Sequence, residues 1–170
     1  MISAAAAAAL AAWWAGPSPI TAVGIPMVLL GVLLAEIDVR CLRLPDPLVA
    51  ALAIVVVTPL TVVTALDGTW SRLGRAAAAA VVVLLLHLVI ALLPRGGLGL
   101  GDVKLAGVLG FVLGWTGWPT VLLGLVLPHL LTGPVVLTLL VRHRIGPRTA
   151  VPFGPALLAG ALIAVVTSGA

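Results

Sequence analysis

Charged side chains are scarce in this sequence. Of its 170 residues, 8% are Asp, Glu, Lys or Arg and 62% are hydrophobic. A soluble domain is about 25% charged and about 45–50% apolar, so these side chains do not cover a water-facing surface. The composition argues against a cytosolic enzyme, a disordered tail and a nucleic-acid-binding protein, and we expect no nucleic acid partner.

Cysteine is nearly absent as well. The only cysteine is Cys41, which excludes an internal disulfide and any zinc or iron–sulfur site built from several cysteines. The net charge of +4 arises because nine basic residues face only five acidic ones. In so apolar a chain this excess indicates membrane topology and not a surface for DNA.

Long apolar segments take up most of the chain. A helix that spans the membrane needs about 20 apolar residues, within a range of about 17–25. Charges and Pro/Gly clusters divide the sequence into segments 2–15, 20–37, 47–66, 76–93, 103–113, 119–141 and 153–167. We predict an all-α, polytopic bundle of six or seven transmembrane helices that forms one domain over residues 1–170, with the lipid bilayer around it.

The basic residues predict the orientation of this bundle. Seven of the nine basic residues fall on one predicted side of the membrane. They lie after the second, fourth or sixth apolar segment or at the start of the fifth: Arg40, Arg43, Arg95, Lys104, Arg142, Arg144 and Arg148. An excess of Lys and Arg marks the cytoplasmic face. All five tryptophans lie at the segment ends on the other predicted side of the membrane: Trp13, Trp14, Trp70, Trp115 and Trp118. We therefore expect a multi-pass protein of the cell membrane whose N-terminus is cytoplasmic.

Three of the five carboxylates have ordinary explanations. Asp67 lies in a turn typical of solvated loops. Asp46 precedes Pro47, a pattern typical of an N-cap, with a role in a site as the alternative. Glu36 is four residues before Arg40, the favourable spacing for a helical ion pair.

The remaining two carboxylates, Asp38 and Asp102, are predicted at the cytoplasmic ends of their helices. Asp102 is a candidate N-cap of the fifth segment, but a cap does not explain the glycines at 97, 99 and 101 before it. Glycines allow close approach of another segment or a substrate. Two aspartates across a dry cleft share one proton, which suits acid–base hydrolysis of a peptide bond without a metal. We expect no metal or other cofactor.

These residues resemble the type IV prepilin peptidases, which are GxGD membrane aspartic proteases. The resemblance covers about residues 35–160. It is carried by Ile37-Asp38, Leu44-Pro45-Asp46, the stretch Gly-Leu-Gly-Asp-Val-Lys-Leu at 99–105 and the stretch Pro-Phe-Gly-Pro-Ala-Leu at 152–157. GxGD alone is a short pattern, and the flanking motifs make the match specific. The presenilin-like signal-peptide peptidases share GxGD and Pro-Ala-Leu, but their first aspartate normally follows Tyr, whereas Asp38 follows Ile37.

The resemblance implies that Asp38 and Asp102 are the catalytic pair. The implied substrates are pilin-like precursors, cut on the cytoplasmic side between the leader peptide and the N-terminal hydrophobic helix. Residues implied to bind substrate or shape the site are Pro45, Asp46, Gly99, Gly101, Lys104, Pro152, Phe153, Gly154 and Pro155. Lys104 either tunes the site or extends to the interface, and residues 152–155 form either irregular backbone beside the pair or an ordinary helix start.

The chain also departs from many prepilin peptidases. It has no paired Cys-x-x-Cys motifs, which in that family accompany N-methylation of the new pilin terminus. It resembles the short, peptidase-only form similar to those of Tad/Flp-type pili, without the N-terminal methyltransferase segment.

Two other kinds of function stay open at the level of sequence. One is a small transporter that binds a proton or cation at Asp38 and Asp102, and the other is a non-catalytic subunit of a secretion system. His87 and His129 lie within apolar segments, where hydrogen-bonded structural roles are expected. Neither the substrate nor the oligomeric state follows from the sequence.

Overall fold

The computed structural model describes residues 19–93, 98–142 and 151–168. Within these ranges the chain forms six α-helices and no strands. The helices are α1 (Pro19–Cys41), α2 (Asp46–Asp67), α3 (Trp70–Leu92), α4 (Leu100–Thr116), α5 (Trp118–Val141) and α6 (Gly154–Thr167). The predicted all-helical bundle is confirmed for this part of the chain.

Three of these helices, α2, α3 and α5, are long and apolar enough to cross a membrane, and α6 is a shorter apolar helix. The predicted segments from 20–37 to 153–167 each correspond to one helix, in the same order. The predicted span at 2–15, with Trp13 and Trp14, lies outside the described residues, as do Arg95, Arg144 and Arg148.

Proline and left-handed residues mark several helix ends. Prolines stand in the first turns of α2, α5 and α6, where the missing N–H would have no helical partner. Gly68 ends α2 with a φ of 67°, a conformation that glycine adopts without steric cost. Leu42 follows α1 with a φ of 52°, and its N–H donates to the Asp38 carbonyl at 2.7 Å.

Helix α4 is the centre of the bundle. From Leu105 to Trp115 every residue except Val108 is buried, and α4 packs against α2, α3, α5 and α6. A helix that is apolar on all sides is expected in such a position. Its first turn, which carries Asp102, is thereby fixed relative to the surrounding helices.

Glycines on α4 allow α3 to approach closely. A Cβ on Gly107 would lie 3.0 Å from the Leu84 side chain, and one on Gly110 would lie 2.9 Å from Val83. The Gly107-x-x-Gly110 step, a pair of small residues one helical turn apart, therefore lies in a close helix contact. At the far end of the same interface, the Arg75 guanidinium donates to the carbonyls of Gly114 at 2.7 Å and Trp115 at 2.9 Å, which satisfies the last turn of α4.

Gly114 tolerates no side chain at this interface. A Cβ there would lie 2.5 Å from the Ala79 Cβ and 2.9 Å from the Ala76 Cα. Overpacking of this kind costs about 1–3 kcal/mol, so we expect Gly114→Ala to lower the thermal unfolding midpoint in detergent, followed by circular dichroism. Gly74→Ala on α3 is the matched control, because nothing lies within 4 Å of its Cβ position. Equal midpoints for the two variants would contradict close α3–α4 packing.

Candidate active site

Five segments meet at one end of the bundle. They are the end of α1 with Asp38, the connection through Leu44, the start of α2, the first turn of α4, and the start of α6. Three contacts join them. The Gly154 N–H bonds to Asp38, Lys104 pairs with Asp46, and Gly101 packs on Leu44. Residues far apart in sequence are thus gathered in one place.

The Asp38 side chain is buried at the end of α1, with 3% of the residue exposed. Its Oδ2 accepts a hydrogen bond of 2.9 Å from the backbone N–H of Gly154. A Cβ on Gly154 would lie 2.9 Å from the same oxygen, so only glycine fits there without displacing the carboxyl. Burial raises the pKa of Asp38, and the Gly154 N–H opposes that rise.

Asp102 is also buried, with 8% of the residue exposed. The prediction that it caps α4 as the N-cap residue is wrong by three positions. The N-cap is Gly99, and the Asp102 Oδ2 instead accepts from the Gly99 N–H at 3.3 Å. Its Oδ1 is buried and has no hydrogen-bond partner among the described residues. One oxygen of this carboxyl is therefore held and the other is free to carry a proton.

The two carboxyls interact electrostatically. Both lie at helix ends, just outside the apolar segments 20–37 and 103–113. Burial, together with the nearby Asp38 carboxylate, raises the pKa of Asp102 to about 6, while the Gly99 N–H opposes this rise. Two like charges in a poorly solvated place ionise together with difficulty. The Asp38 carboxylate is therefore one cause of the raised pKa of Asp102.

Asp46 does not cap α2. The N-cap of that helix is Pro45, with no side-chain capping bond, and Asp46 is the first helical residue. Its Oδ2 lies 2.7 Å from the Lys104 Nζ. Both partners are largely exposed, so the pair stabilises the fold only slightly. The pair does tie the start of α2 to the first turn of α4, a link between distant residues that the local pattern did not reveal.

Gly101 permits the closest approach between α4 and the connection before α2. A Cβ there would lie 2.8 Å from the Leu44 Cβ and 3.2 Å from the Leu44 carbonyl oxygen. Leu44 is buried, and no local sequence feature marks it as a partner of the GxGD stretch. The glycine at 97 lies outside the described residues.

The Pro-Phe-Gly-Pro stretch forms both of the structures considered for it. Pro152 and Phe153 are non-helical, Phe153 is the N-cap of α6, and Pro155 occupies its first turn. The helix therefore starts in the ordinary way. Its first N–H, that of Gly154, nevertheless bonds to Asp38, so the irregular backbone lies beside the carboxyl.

The two described histidines make the predicted hydrogen bonds. Nδ1 of His87 lies 2.8 Å from the Val83 carbonyl, and Nδ1 of His129 lies 2.8 Å from the Leu125 carbonyl. No group of three or more His, Cys, Asp or Glu side chains suited to a metal ion occurs within residues 19–93, 98–142 and 151–168. The Glu36–Arg40 pair forms as predicted, at 2.9 Å.

The sequence matches a known protein family. The profile of the type IV leader peptidase family matches residues 25–137, which include both aspartates and the GxGD stretch. The chain belongs to the type IV leader peptidase family. The resemblance found in the sequence is thereby confirmed, and the apolar helices agree with a membrane protein.

One curated relative is the prepilin leader peptidase/N-methyltransferase of Bacillus subtilis (strain 168). The two sequences are 38% identical over 103 residues, which is 60% of this chain and 38% of the relative. The match thus spans well under half the length of that protein. No solved structure is significantly similar to the chain.

Proposed function

We propose that this protein is a membrane aspartic endopeptidase that cleaves the leader peptide from type IV pilin-like precursors. Asp38 and Asp102 are proposed as its catalytic residues. The observation that carries the proposal is the pair of buried carboxyls, one at the end of α1 and one at the start of α4, each held by a backbone N–H. Membership of a leader peptidase family supports the reaction class.

In this proposal the two carboxyls have different tasks. Asp38 accepts the strong bond from Gly154, which favours its charged form, so it acts as the base that takes a proton from water. Asp102, with its pKa raised to about 6, retains a proton on the unpartnered Oδ1 and donates it to the scissile carbonyl oxygen. The water oxygen bonds to the carbonyl carbon, which gives a tetrahedral intermediate with two hydroxyls. Asp38 then gives its proton to the leaving nitrogen as the C–N bond breaks, and the Asp102 carboxylate takes a proton from a hydroxyl as the carbonyl reforms.

The other site residues are proposed to hold this geometry. Gly101 and Gly154 keep Leu44 and Asp38 in close contact with their neighbours. Lys104 and Asp46 tie α4 to α2 at the edge of the site, and Gly99 provides the N–H that orients Asp102. The proposed hydrolysis uses only these side chains and water.

The direct test is co-expression with a pilin-like precursor whose size is followed on a gel. Cleavage between the leader and the apolar helix, confirmed by sequencing the new N-terminus, is expected with the wild-type chain and not with an empty vector. An intact precursor beside a folded, membrane-inserted chain would overturn the proposal. Proton or cation flux that depends on Asp38 and Asp102, without cleavage, would favour a transporter instead.

We also propose that the site faces the cytoplasm of a cell membrane. Cys41 provides a test without engineering, because it is the only cysteine and is exposed three residues after Asp38. A membrane-impermeant maleimide is expected to label inside-out vesicles and to leave right-side-out vesicles unlabelled until detergent is added. Cys41→Ser controls for background, and fast labelling of right-side-out vesicles would place the site on the opposite face.

A further inference from the structure

An aromatic contact connects helix α5 to the start of α6. The His129 ring meets the Phe153 ring edge-on, with 5.3 Å between the ring centroids and 60° between the planes. Phe153 is the N-cap of α6, and the next residue, Gly154, donates its N–H to Asp38. Only one peptide unit therefore separates the aromatic contact from the hydrogen bond on the carboxyl.

The His129 side chain is exposed, and its ring has two further contacts. Its Nδ1 lies 2.8 Å from the Leu125 carbonyl, and because a carbonyl oxygen only accepts, Nδ1 carries the proton. The His87 ring lies behind it, with centroids 6.2 Å apart, and is anchored in the same way to Val83. His87 itself is buried, with 1% of the residue exposed.

Phe153 has two other restraints. Its ring packs against the hydrophobic core, and its carbonyl accepts a hydrogen bond of 3.1 Å from the Leu157 N–H. No side-chain capping bond supports this helix start, and residues 151–153 have no helical structure. The carbonyl bond restrains the backbone at the start of α6, and the ring contacts restrain the Phe153 side chain. Gly160 of α6 packs on Pro128, the residue before His129. Helices α5 and α6 are therefore in direct contact beside His129.

We propose that His129 is a positioning residue, whose ring holds Phe153 and thereby aims the Gly154 N–H at Asp38. This inference rests on the proposed peptidase function. His129 contacts neither the carboxyls nor the reacting atoms, so its effect on cleavage passes through Phe153 and Gly154. A small displacement of a group that orients a catalytic side chain reduces turnover more than it weakens substrate binding.

The test compares two substitutions of the same residue in the full-length protein. His129→Leu removes the ring, and we expect kcat for precursor cleavage to fall about tenfold while KM changes by less than about twofold. His129→Phe keeps an aromatic ring beside Phe153, and we expect kcat within about threefold of the wild type. Leu130→Ala, at an exposed neighbouring position, is the control and is expected to behave as the wild type.

A pH profile separates positioning from simple loss of stability. The ionisable groups linked to this contact are Asp38, which accepts from the Gly154 N–H, and His87, whose ring lies 6.2 Å from that of His129. Asp102 interacts in turn with Asp38. If His129→Leu weakens the Gly154 bond, the Asp38 pKa rises and the acid limb of the kcat profile moves to higher pH. His129→Phe also lacks an ionisable ring, so a wild-type profile in that variant assigns the effect to position and not to titration of His129.

The outcomes distinguish this inference from the proposed function. Unchanged kcat and an unchanged acid limb in His129→Leu, in an enzyme that still depends on both aspartates, overturn the positioning role alone. An equal loss in His129→Leu and His129→Phe also overturns it, because the ring would then not be what matters. Cleavage that survives removal of the aspartates overturns the peptidase mechanism and this inference with it.

Discussion

Asparagine at position 38 or at position 102 is expected to reduce precursor cleavage by about 10²–10⁴-fold, the usual contribution of a general acid or base. Each substitution replaces one of the two proton-transfer carboxyls with an amide of similar shape. Cleavage is measured as the rate of precursor processing by purified protein in detergent. Because the two groups act as a unit, the double variant should be little worse than either single variant.

The fold should survive both substitutions. An asparagine at 38 still offers an oxygen to the Gly154 N–H. At 102 the sign of the stability change follows from the pKa, which is raised from 3.8 to about 6. A carboxyl shifted upward stabilises the folded state fully below pH 3.8, and that contribution is lost as the pH rises through about 6. The Asp102→Asn side chain stays neutral, so above pH 6 the unfolding midpoint of this variant should be equal to or higher than that of the wild type.

Two results would contradict the dyad. Near wild-type cleavage by either single variant would show that the corresponding carboxyl is dispensable. A loss of activity accompanied by a large fall in the unfolding midpoint would mean that the aspartate serves the fold. Separate folding measurements by circular dichroism and by size-exclusion chromatography accompany each rate, so that the two explanations are distinguished.

Apolar runs and their Pro and Gly boundaries predicted the number and order of the helices from residue 19 onward. They were least accurate where charges enter a helix. The apolar segment was predicted to begin at residue 76, because Arg72 and Arg75 interrupt the apolar run. Helix α3 in fact begins at Trp70. Arg75 belongs to the helix and binds the carbonyls at the end of α4. A hydropathy pattern registers its charge but not its partner.

The same limit explains the errors at the site. Asp46 next to Pro47 has the local features of a cap, but its charge is used by Lys104, 58 residues away in sequence, across the α2–α4 contact. Asp102 was predicted to begin its helix, yet Leu100 and Gly101 precede it within α4. Gly154 was named within its motif, but its task as donor to Asp38 joins residues 116 apart. Such pairings arise from the packing of helices and have no local signature.

Alanine at position 154 is expected to reduce the turnover number by about 10–100-fold, although the change adds a single methyl group. The new Cβ would lie 2.9 Å from the Asp38 Oδ2 and 3.3 Å from its Cγ, closer than van der Waals contact allows. Either the carboxyl or the start of α6 must move, and both movements lengthen the 2.9 Å hydrogen bond. Displacements on the order of 1 Å at a catalytic group cost about 10²-fold in rate.

Gly133→Ala is the matched control for this substitution. It makes the same change on α5 at a position where nothing lies within 4 Å of the added Cβ, and alanine favours a helix over glycine by about 0.8–1 kcal/mol. That variant should keep wild-type turnover and unfold at the same temperature or slightly higher. Wild-type turnover in Gly154→Ala would show that the Gly154 N–H does not set the position of the Asp38 carboxyl. A loss confined to Gly154→Ala, with KM nearly unchanged, would identify that N–H as the group that orients Asp38 during cleavage.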